Sequence, residues 1–212
     1  MLQPVKFVSL GLISVMLFGC AAPLSLSMKP DLGSVQADGI TSIDKHVGYH
    51  ISDVNKALRV TTAAGGANLV SYYPYRDIEV GFYKALTKAF RGVSRVKNPS
   101  DLNEIRTLGI SLLVVPEIKT ASSSSGPLTP QPTSFTVNLI CTITDSTGQP
   151  VRRLTVTGNG TAHFSEFKGD VFRVGVHATN EEIPNSLAAV RATNDALSKL
   201  ITALSEAPEL RK

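Results

Sequence analysis

The sequence predicts an α+β fold, a mixed and largely antiparallel β-sheet with two main helices packed on one face. Three observations predict it. FTVNLICTIT, DSTGQP and VRRLTVTGNGTA form two alternating β-branched runs around a turn containing Gly148. Apolar residues recur at helical spacing in two places, around Phe82 and from Leu187 to Leu204. Between them lie short extended runs bounded by Gly, Pro and Ser, and this order of elements suits helices laid on one sheet.

The N-terminus has a different composition. Lys6 precedes a twelve-residue apolar stretch from Phe7 to Phe18, followed by Gly19-Cys20-Ala21-Ala22, the layout of an export signal. As a helix that stretch covers roughly 18 Å, against about 30 Å of hydrocarbon. It is therefore expected to direct export rather than to span. Residues 1–19 are assigned to the signal and 20–42, a mixture of Ala, Pro, Ser, Gly and Asp without a period, to a flexible tether. A single domain is expected over 43–207, with a tail at 208–212.

Within that domain, extended segments are expected at His46 to Ile51, Ala57 to Thr61 and Leu69 to Tyr73, with a turn at Gly65-Gly66. Asp77 reads as the cap of a helix that presents Phe82, Leu86, Ala89 and Phe90 inward and stops at Gly92. Val93 and Val96 suggest a short strand, and Ser100 or Asp101 opens a short helix. Ile110 to Ile118 reads as a central strand whose end, marked by Pro116, lies at an edge or bulge. The polar loop 121–133 leads into the hairpin. A last helix is expected from Pro184 to Ser205, with Leu187, Val190, Leu197, Leu200, Ile201 and Leu204 as its stripe.

Charge and chemistry exclude more than they include. With 21 basic and 17 acidic residues the net charge is +4, and no block of like charges marks a nucleic-acid surface. His46 and His50 on one strand stand roughly 13 Å apart, and His163 and His177 fall outside metal-binding spacings, so neither metal nor cofactor is expected. Gly158-Asn159-Gly160 precedes no helix and reads as a bulge or strand bend rather than a phosphate cradle. Glu181-Glu182 reads as a solvated pair. Cys141, within the alternation of Phe135, Val137, Leu139 and Ile143, reads as a buried thiol. These residues point away from an enzyme. Tyr72, Tyr73 and Tyr75 form a candidate partner surface, since tyrosine is enriched at interfaces.

Leu17-Phe18-Gly19-Cys20 resembles the bacterial lipobox, with Phe18 where that family carries a small or β-branched residue. The resemblance implies that Cys20 receives diacylglycerol; Ala21, rather than Asp, after it implies the outer membrane. With DIEVGFYKALTKAF, GISLLVVPEI, TDSTGQPV and NSLAAVRATNDALSKLITAL, the chain looks like YajG-type small periplasm-facing lipoproteins. It is more distantly similar to the curli-secretion lipoprotein family. The resemblance implies the fold and the place, while the tether and the absence of a catalytic constellation favour a membrane-anchored, non-catalytic accessory or interaction module with an envelope protein partner. A lipid- or glycan-binding carrier is the alternative, and it requires an apolar cavity between sheet and helices.

Overall fold

The computed structural model describes residues 23–64, 69–124, 132–163, 166 and 186–212. Among the described residues, two sheets and four α-helices make up the fold. The larger sheet has the order β5-β2-β6-β7-β8, built from β2 (Ile43–Tyr49), β5 (Phe90–Arg95), β6 (Leu112–Ser123), β7 (Ser134–Asp145) and β8 (Pro150–Thr161). β2 runs parallel to β5 and β6, whereas the twelve-residue strands β6, β7 and β8 pair antiparallel. A smaller sheet has the order β1-β4-β3, from β1 (Leu24–Ser25), β3 (Val60–Ala63) and β4 (Leu69–Tyr72). The helices are α1 (Asp53–Ala57), α2 (Pro74–Ala89), α3 (Leu102–Thr107) and α4 (Leu187–Ser205).

The predicted hairpin is β7-β8. Phe135, Val137, Leu139, Cys141 and Ile143 are all buried on one face, and Gly148 takes a positive φ of 86° in the turn. Asp145 holds that turn by accepting the N–H groups of Thr147 and Gln149 at 2.8 and 2.9 Å. The buried face is covered by α4 and by α2, which turns Ile78, Phe82, Leu86 and Ala89 inward. α3 lies on the other face over Val96, Ile110 and Leu113.

β6 is central, and Pro116 sits where its sheet partner stops. The last link to β2 is the His50 N–H to the Val114 carbonyl, at 3.1 Å. Backbone groups alternate in direction along a strand, so Pro116 turns its missing N–H to the side that β2 has just vacated. The next N–H on that side, Ile118, donates to the Tyr75 hydroxyl at 3.1 Å.

Several expectations are corrected. The described part of the segment assigned to a tether, from residue 23 on, folds: β1 pairs with β4, and Leu26, Met28 and Val35 are buried in the main core. Its alternating Leu24, Leu26 and Met28 form a strand-like strap that burial fixes in place. The tail also folds, as a 3-10 turn at Pro208–Arg211 with Leu210 buried. α2 begins at Pro74, not Asp77, because proline is suited to the first helical position, where a missing N–H costs nothing. It ends at Ala89; Phe90 and Gly92 belong to β5. Ala57 closes α1, a short helix capped by the Ser52 hydroxyl. The Gly65-Gly66 turn and the helix start at Pro184 lie outside the described residues.

Gly158 and Gly160 are neither a bulge nor a bend. Both keep regular register in β8, opposite Val137 and Phe135. A Cβ on Gly158 would stand 2.1 Å from the Ala192 carbonyl oxygen, and one on Gly160 2.0 Å from that of Ala188. The glycines let α4 lie directly on the strand, with Ala188, Ala192 and Ala196 as its contact row.

Candidate functional site

The tyrosine cluster divides between core and surface. Tyr72 is fully buried, its ring 5.3 Å from that of Phe135. Its hydroxyl lies 2.8 Å from Thr120 Oγ1 and 3.3 Å from Thr62 Oγ1, and burial raises its pKa. Tyr75 is buried against the open side of β6, as described above. Both are therefore removed from the candidate partner surface, because β4 and the first turn of α2 drive them under the helix. Tyr73 stays half-buried, with the Arg76 guanidinium 3.9 Å above its ring centre.

Arg76 leads to the more informative neighbour. Asp77, only 2% exposed, accepts the Met28 N–H through Oδ2 at 2.9 Å and so pins the strap to α2. Its Oδ1 has no hydrogen-bond partner and stands 3.6 Å from Arg76 Nε. Burial raises the Asp77 pKa, with the Met28 N–H and then Arg76 and Lys29 working in the opposite direction. The strap continues along the helix: Pro30 crosses at Gly81, where a Cβ would meet Pro30 Cγ at 2.5 Å, and Lys84 donates to the Leu32 carbonyl.

Strap and helix enclose a cleft of about 220 Å³ lined by Lys29, Pro30, Leu32, Arg76, Asp77 and Val80. Val80 is 61% exposed, Leu32 37% and Tyr83, one helical turn on, 44%. The sequence hid this site because Lys29 and Leu32 fell in a supposed tether, while Asp77 had the residue type of a helix cap. The signal available was the Leu24, Leu26, Met28 alternation.

A second, wider cleft of about 490 Å³ lies over β2 and β5, lined by Asp44, Lys45, His46, Arg91 and Gly92. Arg91 is paired with Asp44 at 2.8 Å, and His46 Nε2 lies 2.9 Å from Ser94 Oγ. His50 Nδ1 meets the Val96 carbonyl at 2.9 Å. The two rings thus bind separate partners on β5 and just beyond it. Among the described residues no group of three His, Cys, Asp or Glu side chains is placed to hold a metal. Cys141 is fully buried, and burial pushes its thiol up to about 12, so it does not supply a thiolate. Cys20, His177 and Glu181-Glu182 lie outside the described residues.

On the side of β6-β7-β8 away from α2 and α4, Lys119, Thr142, Arg153, Thr155 and Thr157 are exposed. The outer edge of β8 is closed by α4. Arg191 donates to the Thr161 carbonyl at 2.6 Å, Asp195 accepts the Asn159 N–H at 2.9 Å, and Lys199 donates to the Thr157 carbonyl at 3.0 Å. That row of side chains prevents strand addition there.

No helix among the described residues is long and apolar enough to cross a membrane. No family model matches the chain, and no curated protein matches it. Among solved structures it is similar to the crystal structure of protein XCC0632 from Xanthomonas campestris, described with the family model DUF330. The identity is 11%, the alignment covers 85% of this chain and 88% of that one, and the TM-score is 0.45.

Proposed function

We propose that the chain is an exported lipoprotein, acylated at Cys20, that acts on the periplasmic face of the outer membrane as a non-catalytic accessory or interaction module for an envelope assembly. The observation that carries the reading is the spacing between lipobox and fold. LFGC closes an apolar run too short to span, and β1 begins at Leu24, four residues after Cys20. Two acyl chains on one cysteine suffice for stable anchoring. An anchor so close to the folded body leaves the polar face of β6-β7-β8 as the broad surface offered to a protein partner.

The carrier alternative needs space between sheet and helices. The backbone contact of α4 on Gly158 and Gly160 leaves none along β8, which disfavours a ligand there. Fractionation tests the anchor: Cys20→Ala is expected to lose acylation and appear soluble in the periplasm, and continued membrane association would refute it. Crosslinking in intact cells tests the module, since recovery of a bound lipid without any protein partner would favour the carrier.

A further inference from the structure

The cleft between strap and α2 combines cations with exposed aliphatic groups close to the proposed anchor. The chain from Cys20 to Leu24 reaches at most about 14 Å when fully extended. Headgroup regions add roughly 5–8 Å outside the hydrocarbon on each side, and charges on that surface are felt over about 8–10 Å. An acylated Cys20 therefore holds the folded body against the bilayer, with no room for it to stand away.

Lys29, exposed on the strap, and Arg76, half-exposed on α2, flank the cleft, while Leu32 and Val80 stand out between them. Two acidic groups lie nearby. Asp77 turns Oδ2 inward to Met28 and keeps Oδ1 3.6 Å from Arg76 Nε, while exposed Asp31, held below its ordinary pKa by the Ser34 hydroxyl at 2.6 Å and the Gly33 N–H at 2.9 Å, has Lys84 close by. The cations at the cleft itself are Lys29 and the outward part of Arg76, set beside the apolar Pro30, Leu32 and Val80, in a space below the roughly 300–1,000 Å³ of drug-sized ligand pockets.

We propose that this cleft is the seat of the protein on the bilayer: the phosphate of an anionic phospholipid headgroup pairs with Lys29 and Arg76, while Leu32 and Val80 press among the headgroups. The proposal rests on acylation of Cys20. Each basic residue near an anionic surface strengthens association about fivefold, so removing two should weaken the contact by more than tenfold. The deep burial of Asp77 keeps the cleft shaped, because it ties the strap to the helix.

The test uses the acylated full-length protein in vesicles, with a polarity-sensitive fluorophore on Val80→Cys and, separately, on Thr155→Cys at the opposite sheet face. Acylated Cys20 and buried Cys141 leave the introduced thiol as the reactive one. The expected result is a blue shift and quenching by a lipid-borne quencher at position 80 but not 155, in vesicles containing phosphatidylglycerol. With Lys29→Gln and Arg76→Gln combined, the quenching should fall severalfold. A position 80 probe equally solvated in vesicles and detergent, with Cys20 acylation verified by mass, would overturn the seat while leaving the anchor intact. Equal quenching in pure phosphatidylcholine would also overturn it, by removing the role of charge. A mass without lipid on Cys20 would instead overturn the premise.

Discussion

The backbone N–H of Met28 donates to Asp77 Oδ2 at 2.9 Å across 49 residues of sequence, and this bond makes an apparent linker part of the fold. It predicts a contrast between two substitutions. Asp77→Ala leaves the Met28 N–H buried without an acceptor and should cost about 1–3 kcal/mol in chemical denaturation. Asp77→Asn keeps an acceptor and removes a buried charge, so it should be at least as stable as the parent at neutral pH.

The pH dependence of that pair follows from the raised Asp77 pKa. Stability from this group is fully present below its ordinary value of 3.8 and is lost as pH rises through the higher folded value. The advantage of Asp77→Asn should therefore be largest at neutral pH and shrink on acidification. Denaturation midpoints of both proteins across the acid range measure it.

Tyr75→Phe removes the acceptor for the Ile118 N–H while leaving the ring in place. It should destabilise by about 1–3 kcal/mol, because a backbone donor on the open side of β6 is orphaned. Tyr72→Phe should cost less, about 0.5–1.5 kcal/mol, since its partners are rotatable hydroxyls.

Gly158→Ala and Gly160→Ala place a methyl group against the backbone of α4, and a rigid helix cannot step aside locally. Each should cost at least about 1–3 kcal/mol, with loss of near-ultraviolet ellipticity if α4 lifts. Ala192→Gly should relieve neither the strand nor the helix, and should cost about 1 kcal/mol through helix propensity.

Glu166 is held down to about 2 by its hydrogen bonds from Arg191, with the His163 N–H assisting. Its contribution is present above the ordinary value of 4.5 and is lost as pH falls through about 2. Arg191→Gln should raise the Glu166 titration midpoint toward its ordinary value, observed by carboxyl carbon NMR.

What the sequence made legible follows from range. The β7-β8 hairpin and Cys141 were readable because alternation and turn residues are local, and α3 because Asp101 caps it through two nearby N–H groups. The strap was not, because the meaning of Leu24, Leu26 and Met28 depends on a helix that begins 46 residues after Met28. A glycine pair in a strand signals irregularity unless the alanine row that covers it is matched to it. Ala188, Ala192 and Ala196 come some thirty residues later. The tyrosine cluster misled for a similar reason: residue type suggests a surface, but Thr62, Thr120 and Ile118 supply the polar partners that let Tyr72 and Tyr75 be buried.

In the proposed lipoprotein, Cys20 is the attachment point and β1 begins four residues after it, at Leu24. Intact-mass and peptide mass spectrometry of the protein isolated from the membrane fraction tests this most directly. The expected chain begins at Cys20 and carries diacylglycerol on its sulfur. A chain beginning at any other residue, or an unmodified Cys20 thiol on membrane-bound protein, would contradict it.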